Sequence, residues 1–180
     1  MDRWLIRKAR AGDRGALERI VSNHYSSVYR FLLHLTRREE DASDLTQEVF
    51  AKLAKSLETW RSEGSFRGWL FRVAYREFLH FQRDKGPAMD ALSQAFLSRS
   101  ESPDDAITLL NAIETLDEEL RTAFWLREVE RLSVKEIAES LGIPEGTVKS
   151  RTHVAKQRLR AKLRSAWSPH SEPMEKDHVV

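Results

Sequence analysis

From Leu17 onward the apolar residues of this chain return every three or four positions, and no sustained alternation of period two interrupts them. That spacing admits helices and gives no sign of a sheet. Leu17, Ile20, Val21, Val28, Leu32 and Leu35 form one stripe. Ala42, Leu45, Val49 and Leu53 form a second that continues toward Leu57, and Trp69, Leu70, Val73 and Ala74 a third, after the turn-like Ser62-Glu63-Gly64-Ser65. The pattern fades between Asp84 and Asp104, where Gly86, Pro87, Pro103 and the serines 93, 98, 100 and 102 read as a linker. Leu92, Phe96 and Leu97 within it could still dock on a partner. Helical spacing resumes at Ile107 with Leu109, Ile113 and Leu116, and Asp117 is suited to cap a helix carrying Leu120, Ala123 and Phe124. After Trp167 the chain has little to bury. The expected fold is all-α: two small helical domains, residues 1–84 and 106–166, joined by a flexible linker, 85–105, with a disordered tail, 167–180.

Charge is segregated rather than abundant. The net charge is only +2, with 32% charged residues and no cysteine, which excludes a disulfide framework and thiolate metal sites. Residues 39–48 carry five acids (Glu39, Glu40, Asp41, Asp44, Glu48) and no Lys or Arg. Residues 149–164 carry seven basic side chains and no acid. Such a chain can meet a basic partner at one place and a polyanion at another. No apolar run is long enough to span a bilayer, and the first fifteen residues lack the apolar core of a signal peptide.

The sharpest local signal lies between Leu132 and Leu163. Ser133-Val134-Lys135-Glu136 has the form of a capping box, Gly142 suits the left-handed conformation that ends a helix, and Pro144 stands where the next helix begins. Val134, Ile137, Ala138 and Leu141 give the first helix one apolar face; Val148, Ala155, Leu159 and Leu163 give the second its own. Two short helices about a tight glycine turn form a helix-turn-helix, whose second helix enters the major groove by its N-terminal residues. Thr147, Lys149, Ser150, Arg151 and His153 are the outward residues there, fit for base edges; Lys156, Arg158 and Arg160 are better placed for phosphates.

The two halves together carry a resemblance. Asp41-Ala42-Ser43-Asp44-Leu45-Thr46-Gln47-Glu48-Val49-Phe50 resembles the Asp-Ala-Glu-Asp-Leu-Val-Gln-Glu-Val-Phe signature of extracytoplasmic-function (ECF) sigma factors. Gly64-Ser65-Phe66-Arg67-Gly68-Trp69-Leu70-Phe71-Arg72-Val73-Ala74 is similar to their Ser-Phe-Arg-Thr-Trp-Leu-Tyr-Arg-Ile-Ala stretch, and residues 132–151 to their promoter-reading helix-turn-helix. The resemblance spans about residues 10–165, in the family's order. It implies a region 2 domain in the front half and a region 4 domain behind. Asp41, Asp44, Gln47 and Glu48 would dock on a basic coiled coil of the core RNA polymerase clamp, with Leu45 and Val49 facing the core. The next segment interleaves aromatics with cations. Arg67, Arg72, Tyr75, Arg76, His80 and Arg83 would hold the melted −10 strand, while Phe66, Trp69 and Phe71 pack inward. Thr147, Lys149, Ser150, Arg151, His153, Lys156 and Arg158 would meet the −35 element as duplex DNA.

This chain departs from the family's common residues at several points. Arg76 and His80 replace Asn and Asp, which touches −10 sequence preference. Val154 stands where Arg is frequent, and Asp117 where Pro is common. The resemblance also implies an anti-sigma factor as partner, a cytoplasmic location without direct membrane insertion, and no enzymatic activity. The six histidines show no zinc-helix spacing and there is no phosphate-cradling glycine loop, so no cofactor, metal or catalytic residue is expected. The rival reading is a helix-turn-helix regulator that binds duplex DNA without docking on polymerase. It leaves the acidic signature and the aromatic-basic segment without a role.

Overall fold

The computed structural model describes residues 2–60, 65–85 and 105–166. The linker residues 86–104 with Leu92, Phe96 and Leu97, the turn at 61–64 and the tail 167–180 lie outside these. All regular structure among the described residues is helical. The front half consists of α1 (Asp2–Arg10), α2 (Arg14–Thr36), α3 (Glu39–Thr59) and α4 (Phe66–Lys85). The rear half consists of α5 (Asp105–Glu114), α6 (Glu118–Phe124), a π-helical turn (Trp125–Val129), α7 (Val134–Leu141) and α8 (Glu145–Ala166).

Local chemistry sets the boundaries. Gly12, at φ +89°, turns the chain between α1 and α2, and the Asp13 carboxylate accepts from the Ala16 amide at 3.0 Å to start α2. Arg37, in the left-handed region, closes α2 by donating its amide to the Leu33 carbonyl at 2.8 Å. The capping box of α7 forms as the spacing predicts: the Glu136 amide donates to Ser133 Oγ at 3.2 Å, and the Ser133 amide to Glu136 Oε2 at 2.7 Å. Gly142 ends α7 in the left-handed conformation. Pro144 sits one residue before α8, its carbonyl accepting from the amides of Thr147 and Val148 in the first turn of that helix. Asp117 occupies the N-cap of α6 but its side chain does not cap; it accepts from Arg158 instead, because a guanidinium lies within reach.

The apolar stripes converge as expected in the front half. Val28, Phe31, Leu32, Leu35, Val49, Leu53, Leu70, Phe71 and Phe78 are buried, and Phe31 meets Phe71 edge-on with centroids 5.2 Å apart. Each such side chain contributes about 1.5–3 kcal/mol on burial. The rear half divides its apolar residues. Ala112, Ile113, Leu116, Ala155 and Leu159 form their own small core, from which Leu109 is left exposed. Trp125, Leu126, Leu132, Ile137, Ala138 and Val148 instead join the core of the front half. The two halves therefore share one buried cluster, with α7 laid against α4. The linker reading anticipates two separable units, but not this contact between them.

Candidate polymerase and nucleic-acid surfaces

The acidic signature lies on the first three turns of α3, and the helix sorts its members by face. Leu45 and Val49 are buried, while Asp44, Gln47 and Glu48 point outward. Asp41 does not share that surface. It is 7% exposed and held inward by Lys85 Nζ at 2.7 Å and an Arg38 guanidinium at 3.5 Å. Its aspartate spacing matches the motif, but Arg38 and Lys85 supply charges that neutralise it inside the fold. Below this face Lys52 bonds Glu77 at 2.7 Å. The hydrogen bond that Lys52 donates to Glu77 raises its ammonium above the ordinary pKa, against the slight desolvation that lowers it.

Helix α4 divides the six −10 candidates between two faces. Arg76, His80 and Arg83 are exposed at spacings of four and three, two guanidinium groups and an imidazole in a row along one side, with the exposed Leu79 set within it. Arg67, Arg72 and Tyr75 turn toward the rear half. Arg67 donates to Glu130 Oε2 at 2.7 Å and Arg72 to Glu139 Oε2 at 3.4 Å. Tyr75 lies among Glu118, Glu119 and Arg151; burial, then the charge of Glu118, raises its phenol above the usual pKa. Phe66 and Phe71 are buried and Trp69 half-buried, in keeping with packing roles.

In the helix-turn-helix, Lys149, Ser150 and His153 are exposed on the first two turns of α8, and Thr147 is half-buried at its start. Three further candidates carry intramolecular partners: Arg151 bonds Glu119, Lys156 bonds Glu128 at 2.8 Å, and Arg158 bonds Asp117. Val154 is half-buried between these outward residues and the core. The acids that hold the cationic residues (Glu119, Glu128, Glu130, Glu139) are absent from the sequence reading. They lie far from their partners along the chain, and only the packing of α4 against α7 and the π-helical turn, and of α8 against α6 and that turn, brings them close. Residue spacing carries no signal for that.

Comparisons with known proteins agree with this anatomy. Residues 20–98 match the family described as Sigma-70 region 2, and residues 107–159 that described as Sigma-70, region 4. The chain is 31% identical to the ECF RNA polymerase sigma-E factor of Haemophilus influenzae, covering 90% of this chain and 95% of that protein. It belongs to the ECF sigma factor family. This ECF sigma factor is also 34% identical to the ECF RNA polymerase sigma factor SigE of Mycolicibacterium smegmatis, covering 83% of this chain but only 63% of that longer protein. The same fold occurs in CnrH, solved in complex with the cytosolic domain of CnrY, at a TM-score of 0.69 and 24% identity, covering 93% of this chain and 99% of that one. It occurs again in the sigma factor RpoE of Bartonella quintana, solved with the anti-sigma factor NepR, at a TM-score of 0.67 and 21% identity over 82% of this chain and 96% of that one. The chain is thus an RNA polymerase sigma factor, and the reading as a regulator that never meets polymerase is not favoured. Among the described residues no helix is long and apolar enough to cross a membrane.

Proposed function

We propose that residues 1–84 act as the unit that docks on the polymerase clamp and captures the melted −10 strand, and that residues 106–166 act as the unit that reads the −35 element as duplex. On α3 the docking surface is Asp44, Gln47 and Glu48. On α4 the exposed row of Arg76, His80 and Arg83 is the first contact with the strand, Leu79 offering an apolar surface between cations; Arg67, Arg72 and Tyr75 join when their acidic partners withdraw. On α8 Lys149, Ser150 and His153 approach base edges, Thr147 lies at the helix start, and Arg151, Lys156 and Arg158 hold phosphates. The observation that carries this reading is the pair of exposed cationic faces, one on α4 and one at the start of α8, each within the stretch that matches a sigma region.

The phosphodiester chemistry belongs to the polymerase, and this chain contributes promoter choice. The sigma factor acts in the cytoplasm, and an anti-sigma factor is the partner that restrains it. The solved complexes of CnrH and RpoE with their partners support that assignment.

The test is promoter discrimination. Lys149→Ala should lower the preference for the best −35 sequence over a scrambled one by about 1–3 kcal/mol if the lysine meets a base edge. Transcription with core polymerase on both templates measures it. An equal loss on the two templates would mean that Lys149 holds only backbone.

A further inference from the structure

Helix α8 carries its polar residues in three strips. Val148, Ala155 and Leu159 are buried, and the exposed Lys149, Ser150 and His153 stand on the opposite side. At 3.6 residues per turn, Arg151 and Arg158 fall on one flank between these faces and Lys156 on the other. Both flanks are paired. Arg151 and Arg158 bond Glu119 and Asp117 at the start of α6, and Lys156 bonds Glu128 of the π-helical turn at 2.8 Å. Lys149 and His153, by contrast, bond no acid among the described residues. The side chains of Glu119 and Asp117 are 69% and 68% exposed, so pairs of this solvated kind add little to the fold. Their effect has to be sought in what the same cations do on DNA.

A major groove is about 12 Å wide between two walls of phosphates, and a helix with its side chains is about 10–12 Å across. A helix lying there with Lys149, Ser150 and His153 toward the bases turns one flank to each wall. Each flanking cation then has two competing ligands, its own carboxylate and a phosphate, and both are charge-assisted acceptors. Exchanging one for the other gains little and leaves a carboxylate beside the DNA backbone. Bases reached through Lys149, Ser150 and His153 hold α8 in the groove whether or not the flanking pairs open. A duplex without those bases can hold the unit only by its phosphates, and then the pairs must open.

We infer that Asp117, Glu119 and Glu128 are specificity-determining residues of the duplex-reading unit: they hold the cations on both flanks of α8 and so weaken binding to unmatched duplex more than binding to the −35 sequence. The inference rests on the assignment of residues 106–166 to the −35 element. Discrimination is a difference of two affinities, and it is raised by an element that opposes the wrong partner as well as by one that favours the right one. Backbone contacts supply essentially all of non-specific binding, so acids set against those contacts act where no base is read.

The test compares three full-length chains: the parent, a triple variant Asp117→Asn, Glu119→Gln and Glu128→Gln, and a control Glu172→Gln, Glu175→Gln and Asp177→Asn. Variant and control remove the same three negative charges, so general attraction to DNA changes equally in both. The probes are two short duplexes followed by fluorescence anisotropy, one with the −35 sequence that the parent and core polymerase select from a randomised pool, the other with that sequence scrambled. Relative to the control, the triple variant should bind the scrambled duplex about ten-fold more tightly, roughly two-fold per freed cation, and the matched duplex by much less. Its preference therefore falls. On the scrambled duplex its plot of log K against log salt should steepen by about 0.9 per freed cation, a readout that a merely structural role would not move. Equal tightening on the two duplexes, or a triple variant that matches the control, would overturn the inference. Should the triple variant fail to fold, Glu119→Gln alone decides, with the same signs. A parent that binds both duplexes equally would overturn it as well, by removing the assignment of residues 106–166 to the −35 element.

Discussion

Ser133 and Glu136 show how much a pair of side chains can settle. Each satisfies the other's backbone amide at the start of α7, and Glu136 also faces Ser65 and Arg67 where α7 packs on α4. Partial burial alone would raise the Glu136 carboxyl. The hydrogen bonds from the Ser133 hydroxyl and amide and from Ser65, together with the Arg67 charge, outweigh it and hold the group below its usual pKa. A carboxyl lowered on folding stabilises the fold above its unfolded pKa, and that contribution is lost as pH falls through the lowered folded value. Unfolding by urea should therefore become easier below the ordinary carboxylate range, and a Glu136→Gln chain should lose this part of the pH dependence. Ser133→Ala should destabilise the protein by about 1 kcal/mol at neutral pH, read as a lower urea midpoint at unchanged slope. An unchanged midpoint would mean that the box contributes nothing once α7 is packed.

At the scale of the helix, α3 joins core and surface on one cylinder. Leu45 and Val49 hold it in place, so Asp44, Gln47 and Glu48 are presented on a rigid element. Opposite charges of this exposed kind mainly speed and orient docking, each pair contributing about 0–1 kcal/mol. Asp44→Ala with Gln47→Ala should slow association with core polymerase and weaken its salt dependence, and leave thermal stability within about 0.5 kcal/mol of the parent. Stopped-flow association at two salt concentrations separates the two effects. The periodicity of α3 and α8 was legible because amphipathic helices write their buried face every three or four residues, and the capping box and Gly142 were legible because they act locally. The burial of Asp41 was not legible, because its position on the motif says nothing of Arg38 and Lys85, which meet it only in the folded chain. Asp117 stands at the N-cap of α6 as its spacing suggests, but its carboxylate bonds Arg158 rather than the helix amides. The π-helical turn escaped entirely, since one extra residue in a helical repeat leaves no mark that spacing can show.

For the whole molecule, the two halves are neither independent beads nor one domain. The shared apolar cluster, the close approach of α7 to α4 at Gly68 and the ion pairs of Arg67 and Arg72 bring them together, while the outward basic residues of α4 and α8 remain partly accessible. In the proposed reading such a chain meets the polymerase through α3 and DNA through both basic helices. Transcription must then depend on all of these surfaces acting in a single complex. Run-off transcription by core polymerase from a library of genomic promoter fragments measures that directly. With the full chain added, the selected fragments should share two sequence elements about two helical turns apart, start at a fixed distance from them, and yield no product without the chain. Polymerase that accepts the chain but starts at the same sites as without it would contradict the account.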